Sequence, residues 1–183
     1  PTSELEQLND AGGGPVSDLM RELLASAERA HAATDGRFDV GLGAELVAAG
    51  YDRTFDTLDP IPAADRAGVR PLDASDARRL ATRPARDASF TLDDAGVRIT
   101  AGRRVDLGGI AKGWAADDAC HRLAAQLGAS CLVNLGGDIA VHVADGVEPW
   151  TIGLDVDGAV RSFEVPGGGV ATSGQLSLIH ISE

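Results

Sequence analysis

The 183-residue chain has little cysteine, little positive charge and no long apolar run. Its two cysteines, Cys120 and Cys131, can form at most one disulfide and lie in no metal-binding spacing, so we interpret them as buried free thiols. The 16 Lys and Arg residues are outnumbered by 28 Asp and Glu residues, which gives a formal net charge of -12. No basic cluster offsets this charge, which argues against nucleic acid as a partner. No segment approaches the roughly 20 apolar residues of a membrane-spanning helix.

Apolar residues make up 44% of the chain, enough for the core of one globular domain, and three segments have helical periodicity. The first follows the Gly-rich loop that ends residues 1–14 and covers residues 17–34, with Ser17 as its N-cap. A short helix is predicted over residues 43–49, and the clearest one begins near Gly113 and ends at Gly128. The residues predicted to face the core are Leu19, Leu23, Ala27, Ala30 and Ala33 in the first helix, and Ala115, Ala119, Leu123 and Leu127 in the last.

Short segments of alternating polarity predict strands, which dominate the C-terminal half. Residues 90–92 and 97–100 form a predicted hairpin around Asp94-Ala95-Gly96. The other predicted strands are residues 105–107, 131–135, 139–143, 150–154 and 160–165. Residues 59–87 are rich in Pro, Asp, Arg and Ala and predict a surface connection with one helical turn at 75–80. Because strands and helices do not alternate regularly, we predict an α+β domain with mixed or antiparallel sheets and packed helices.

The segment Asp106-Leu107-Gly108-Gly109-Ile110-Ala111-Lys112-Gly113 gives the strongest chemical indication. Two adjacent glycines let backbone approach a ligand closely, and the start of the following helix presents free N–H groups and a positive dipole end to an anion. Lys112 adds a positive charge suited to phosphate, and Asp106 can accept hydrogen bonds from a ribose, an isoalloxazine edge or a hydroxyl nucleophile. A tight turn into a helix with a solvated lysine fits the same residues, so both interpretations stay open.

Three further segments have the same two interpretations. In Thr34-Asp35-Gly36-Arg37-Phe38-Asp39, the charged Arg37 and Asp39 flank an aromatic ring, which suits recognition of a nucleotide but also fits a capped helix followed by a solvated charge pair. Asn134-Leu135-Gly136-Gly137-Asp138 and Ala171-Thr172-Ser173-Gly174 suit close approach of backbone to a ligand, yet their residues are also common in ordinary turns.

In order and approximate spacing, these four segments resemble the FAD:protein FMN transferases, the ApbE-like family. The resemblance begins at Ser3-Glu4-Leu5 and Leu8-Asn9, includes Gly50-Tyr51-Asp52 and is strongest over residues 105–113. It implies an incomplete ApbE-like, T-fold-related domain over residues 1–175, truncated at both ends. Residues 176–183 do not match the family and are predicted to be a non-native tail.

The resemblance implies Mg2+-dependent transfer of the FMN half of FAD to a threonine or serine hydroxyl of an acceptor flavoprotein, with release of AMP. Carried over by position, it implies that FAD contacts Arg37, Phe38, Asp39, Asp106 and Lys112, and that Mg2+ binds the backbone carbonyl of Gly109. Asp106 is also the candidate catalytic residue, which activates or orients the acceptor hydroxyl. The side-chain metal ligands of the family lie beyond the matching residues. Two other functions stay open: an FAD diphosphate hydrolase that yields FMN and AMP, and a non-catalytic flavin-binding module.

The resemblance leaves two cellular locations open. Members of the family occur on the periplasmic face of the bacterial inner membrane, held by a lipid anchor, and as soluble cytoplasmic forms. The first location implies that a longer parent protein is anchored through a leader that this sequence lacks.

Overall fold

The computed structural model describes residues 3–48, 87–156 and 159–172. The chain divides into two compact units, residues 1–107 and 108–183. The described helices are α1 (Glu4–Ala11), α2 (Asp18–Ala33), α3 (Gly43–Ala48) and α4 (Ala111–Leu127). The described strands are β1 (Gly13–Gly14), β2 (Phe90–Asp93), β3 (Gly96–Ile99), β4 (Cys131–Leu135), β5 (Asp138–His142), β6 (Trp150–Val156), β7 (Ala159–Val165) and β8 (Gly168–Val170).

Several sequence-based predictions concern residues outside these ranges. They are the surface connection with its helical turn at 75–80, the motif Gly50-Tyr51-Asp52, the pair Ser173-Gly174 and the tail at 176–183. The extent of the family domain, residues 1–175, stays a prediction.

In the first unit, a three-stranded antiparallel sheet of order β1-β3-β2 packs against α1 and α2. The strands β2 and β3 form the predicted hairpin, and the glycine strand β1 pairs with β3 on its other side. The apolar core of this unit consists of Leu8, Leu24, Ala27, Val40, Phe90, Val97, Ile99, Val105 and Leu107. The sheet and the two helices therefore share one core.

In the second unit, the antiparallel sheet β4-β5-β8 has a different partner on each face. Successive side chains of a strand point to opposite faces. Accordingly, Ala140 of β5 packs in a buried cluster with α4, whereas Ile139 and Val141 pack with Ile152 and Val165 of the β6–β7 hairpin. Asp138 has the same parity as Ala140, so it lies on the α4 face of the sheet.

The predicted fold class and most predicted elements are confirmed. The N-cap hydroxyl of Ser17 accepts a hydrogen bond from the Met20 amide at 3.2 Å, and Gly128 ends α4 in the left-handed conformation. Residues 1–14 contain α1, capped by Ser3, which the sequence did not indicate, and the Gly-rich loop follows it. One local prediction fails, because residues 105–107 form no strand in the described part of the chain. An isolated β-bridge joins Leu42 to Arg104, next to this segment, but Val105 pairs instead with a side chain of α1.

The predicted buried face is right in part for α2 and wrong for α4. In α2, Ala27 is buried as predicted and Leu24 is buried beside it, whereas Leu19 is 63% exposed. In α4, the buried residues are Ala116, Cys120 and Ala124, one position along from the predicted row, and Leu127 is 66% exposed. Both rows have a spacing of four, so spacing alone does not choose between them. The contact with the sheet selects the row of smaller side chains, which lets the helix approach β4 and β5 closely.

Cys120 and Cys131 are free and buried, as predicted, and lie in one cluster between α4 and the sheet. Burial raises the pKa of the Cys120 thiol, and the neighbouring Cys131 raises it further. In the described ranges, no helix is both long enough and apolar enough to cross a bilayer.

Candidate functional site

The start of α4 has the features of an anion site. The turn at residues 108–110 leads directly into the helix, whose N-cap, Ile110, has no polar side-chain atom to bond the amides of the first turn. These amides and the positive end of the helix dipole are therefore available to a ligand. Lys112 lies in this first turn with its side chain 58% exposed, and Gly109 is exposed just before it.

A second loop of the same unit lies beside Lys112. The turn between β4 and β5 consists of Gly136 and Gly137, both at positive φ (66° and 96°), and a Cβ added at Gly136 would lie 3.8 Å from Lys112 Nζ. Lys112 Nζ also lies 3.6 Å from Asp138 Oδ2, just after the turn. The ammonium group is thus placed between a backbone turn and a carboxylate.

Two side chains fix this glycine turn. The Gly137 amide donates to Asn134 Oδ1 at 2.9 Å, and the Thr172 hydroxyl donates to the Gly137 carbonyl at 3.2 Å. A Cβ at Gly137 would overlap Thr172 Oγ1, so the close approach requires glycine there. Three of the four segments singled out in the sequence, around Lys112, Gly137 and Thr172, therefore converge in the second unit.

The fourth segment, residues 34–39, lies in the first unit, and its aspartate has a structural role. The Asp39 carboxylate is buried; Oδ1 accepts from the Gly41 amide at 2.8 Å and from the Ser89 hydroxyl, and Oδ2 lies 3.4 Å from Arg103 Nη1. Asp39 and Ser89 also line a cavity of about 220 Å³ between α2 and β2. Asp39 thus holds its loop against two distant parts of the unit.

Arg37 and Phe38, which precede Asp39, are more accessible than Asp39. Arg37 is exposed, with Nη1 3.3 Å from the Thr34 carbonyl oxygen and 3.5 Å from Asp35 Oδ2. Phe38 is half-buried; its amide donates to the Thr34 hydroxyl at 2.9 Å, and its carbonyl oxygen lies 2.8 Å from His31 Nδ1. The backbone around the ring is therefore fixed by α2, while the side chains of Arg37 and Phe38 keep accessible surface.

Asp106 is exposed, and its amide and the two residues before it are anchored. The Asp106 amide donates to the Val40 carbonyl at 2.7 Å, which links Asp106 to the loop that contains Asp39. Before it, Val105 bonds to Asn9, and Arg104 forms ion pairs with Glu6 and Asp10 of α1. The hydrogen bond that Arg104 donates to Glu6 is the main reason that the pKa of Arg104 is raised.

The structure thus groups the predicted residues in two sets. Arg37, Phe38, Asp39 and Asp106 lie in the first unit, and Gly109 and Lys112 lie in the second. The sequence did not single out the partners Ser89 and Arg103, which lie 50 and 64 residues from Asp39 and belong to no local pattern. For Asp138 and Thr172 a signal existed, because both belong to segments noted for their turn residues.

Side chains that would hold a metal ion are scarce in the described part of the chain. Within residues 3–48, 87–156 and 159–172, no three His, Cys, Asp or Glu side chains come together in a group that could hold a metal ion. Mg2+ takes about six oxygen ligands in near-octahedral geometry. The described residues therefore offer Mg2+ no set of three such side chains.

The sequence matches the model of the ApbE family over residues 1–178. Three solved structures are similar to the chain. The ApbE protein of Thermotoga maritima is 26% identical, with a TM-score of 0.69 over 94% of this chain and 55% of that one. The flavinyl transferase ApbE of Pseudomonas stutzeri, in its apo form, is 29% identical, with a TM-score of 0.64 over 94% and 53%. A mutant of the flavin transferase ApbE of Vibrio cholerae is 25% identical, with a TM-score of 0.64 over 94% and 54%.

The chain spans just over half the length of these three proteins. The family match extends over nearly the whole chain, so the resemblance inferred from the four sequence segments is confirmed. No curated protein matches the sequence significantly.

Proposed function

Because the chain belongs to the ApbE family, we propose that it is part of a flavin transferase that moves FMN from FAD to a threonine or serine hydroxyl of an acceptor flavoprotein. The observation that carries the proposal is the placement of Lys112 in the first turn of α4, beside the glycine turn at residues 136–137. A helix start, a lysine and closely approaching backbone together suit a diphosphate. The names of two similar proteins, a flavinyl and a flavin transferase, support the same reaction class.

In the proposed reaction, the acceptor hydroxyl oxygen forms a bond to the phosphorus on the FMN side of FAD. The bond from that phosphorus to the bridging oxygen breaks, AMP leaves with the bridging oxygen, and the hydroxyl proton passes to a base. Such phosphoryl transfers depend mainly on positioning and on stabilising negative charge. Lys112 and the first amides of α4 would stabilise the diphosphate, and Asp106 would orient the acceptor hydroxyl or accept its proton.

Dependence on Mg2+, with the Gly109 carbonyl as one ligand, is part of the proposal. A bound Mg2+ would neutralise charge on the diphosphate. A carbonyl ligand places no demand on the side chain, so glycine is compatible with this role. The described residues offer no set of three side-chain ligands for Mg2+, so the roles proposed for this chain are those of its own side chains and amides.

The test uses the full-length protein with FAD, Mg2+ and an acceptor flavoprotein. We expect the acceptor to gain the mass of one FMN group and AMP to appear in equal amount. An acceptor whose target hydroxyl is removed should gain no mass, and chelation of Mg2+ should stop the reaction. Release of AMP and FMN without acceptor would instead identify a hydrolase, and FAD binding without turnover would identify a binding module; either result contradicts the transferase.

The location of the protein is proposed from the family alone. A lipid-anchored form on the periplasmic face of a bacterial inner membrane would have its acceptor on the same face. A soluble cytoplasmic form would be recovered in the supernatant after cells are broken, whereas an anchored form would sediment with the membranes.

A further inference from the structure

We infer that Asn9 is a positioning residue for Asp106. The inference rests on the proposed function, which assigns Asp106 to FAD and to the acceptor hydroxyl. Asn9 lies near the end of α1, far from Asp106 in the sequence. The two residues are connected through the backbone of Val105.

The Asn9 amide makes both of the hydrogen bonds that a neighbouring strand would make to Val105. Asn9 Nδ2 donates to the Val105 carbonyl at 2.9 Å, and the Val105 amide donates to Asn9 Oδ1 at 2.7 Å. Both bonds are partly buried, and Val105 itself is 3% exposed. One side chain therefore satisfies the whole backbone of the residue that precedes Asp106.

The rest of α1 and the opposite loop support the same segment. Arg104, on the other side of Val105, forms ion pairs with Glu6 and Asp10 of α1. From the opposite side, the Asp106 amide donates to the Val40 carbonyl at 2.7 Å, and the Gly43 amide donates to the Arg104 carbonyl at 2.8 Å. Residues 104–106 are thus fixed from two sides although they belong to no strand.

The chemistry of this contact requires an amide. Asparagine offers one donor and one acceptor on a short side chain, which match the C=O and N–H of one residue. A carboxylate of the same shape still accepts from the Val105 amide, but it faces the Val105 carbonyl with negative charge. Alanine removes both bonds and leaves two partly buried backbone groups without their partner.

A shift of Val105 moves Asp106, because the two residues share a peptide unit. Misplacement of a reacting or binding group by about 1 Å can cost two orders of magnitude in rate. Asn9 therefore acts on the ligand through Asp106 and not by touching the ligand itself. This distinguishes it from a residue that only stabilises α1.

The experiment measures FAD affinity of the chain with Asn9→Asp, Asp106→Asn and both changes together. We expect Asn9→Asp to weaken FAD binding about tenfold at neutral pH. This is the size expected if the displaced Asp106 loses one hydrogen bond to FAD. In the Asp106→Asn background, Asn9→Asp should change affinity less than about twofold, since the affected carboxylate is already gone. The control is Ser3→Ala, which removes the N-cap bond of α1 to the Glu6 amide but leaves the Asn9 contact.

A pH series adds a readout that general destabilisation does not produce. A protonated carboxyl group again has one donor and one acceptor, so the affinity of the Asn9→Asp variant relative to the unchanged chain should recover as pH falls towards about 4. Asn9→Ala should show no recovery. If Asn9→Asp does not fold, Asn9→Gln, which keeps both groups one methylene farther out, should show an intermediate loss.

Three results would overturn the inference: additive losses in the double variant, an equal loss in Ser3→Ala, or unchanged affinity in both Asn9→Asp and Asn9→Ala. These results leave the proposed function standing, because the unchanged chain still binds FAD. Failure of the unchanged chain to bind FAD overturns the proposed site, and the role of Asn9 falls with it.

Discussion

At the scale of single residues, Lys112 combines exposure with a defined position. Its ammonium lies 3.6 Å from Asp138 Oδ2, and an exposed ion pair of this length contributes little to stability. The side chain can therefore turn to a ligand phosphate at small cost. A role in binding explains this position better than a role in folding does.

We expect Lys112→Ala to weaken binding of FAD about tenfold and binding of adenosine hardly at all, because only FAD presents a diphosphate to the lysine. Isothermal titration of both ligands measures the difference. Arg122→Ala is the matched control, since it removes a positive charge from the same helix where it pairs with Asp118. Equal losses for the two ligands would contradict the assigned role.

The Cys120 thiol gives a prediction that depends on pH. Burial raises its pKa, so the folded state favours the protonated thiol more than the unfolded state does. The resulting contribution to stability is complete below the pKa of the unfolded state and is lost as pH rises through the higher pKa of the folded state. At neutral pH we expect Cys120 to react with a thiol reagent only after denaturant is added, as followed by mass spectrometry. Rapid labelling of the native chain would show that the thiol is accessible.

At the scale of elements, the signals within the sequence located α2, α3 and α4 but not α1, and they did not identify the buried face of α4. Ser17 and Gly128 are local capping residues, and they marked the start of α2 and the end of α4 correctly. The buried row of α4 depends on the sheet against which it packs, which no local spacing reveals. The same applies to residues 104–106, whose hydrogen-bond partners lie in α1 and near α3, far away in the sequence.

The packing of α4 predicts effects of different size for two substitutions. Ala116 is 1% exposed at the contact with the sheet, so Ala116→Leu should overpack this contact and lower the free energy of unfolding by about 1–3 kcal/mol. Leu123 is 41% exposed, so Leu123→Ala should change it by less than about 1 kcal/mol in this chain. Urea unfolding of both variants measures the difference. If Leu123→Ala were instead more destabilising than Ala116→Leu, the buried face of α4 would be the one that the sequence spacing predicted.

The candidate site, like the helices, was predictable from the sequence where it depends on neighbouring residues and not where it depends on distant ones. Glycine pairs and the lysine that follows them are close in sequence, so the candidate anion site at Lys112 was indicated by local pattern. The buried partners of Asp39 were not, because a carboxylate beside an aromatic looks the same in sequence whether it faces a ligand or an internal arginine. The structure adds that Asp39 is bonded to Ser89 and Arg103.

At the scale of the whole molecule, the net charge of -12 and the local site act over different distances. A duplex nucleic acid meets the net negative charge of the whole molecule, whereas a dinucleotide depends mainly on the groups that it contacts directly. Exposed charges are screened beyond about 10 Å at about 0.1 M salt, so nearby groups decide whether FAD binds.

We therefore expect an excess of duplex DNA not to displace FAD from the chain at about 0.1 M salt. Flavin fluorescence during a DNA titration measures this, with unlabelled adenosine diphosphate as a positive control that competes through its diphosphate. Displacement by DNA at concentrations similar to those of adenosine diphosphate would contradict the electrostatic argument.

The hydrogen bonds between Asn9 and Val105 also constrain the order in which the protein folds. They join residues 96 positions apart, so almost the whole first unit must be synthesised before they form. Closing so long a loop has an entropic cost that local contacts do not have, and contacts of this kind slow folding. Asp106 thus reaches its final place only when the two ends of the unit meet, and a nascent chain that stops short of residue 105 contains α1 without the segment that α1 positions.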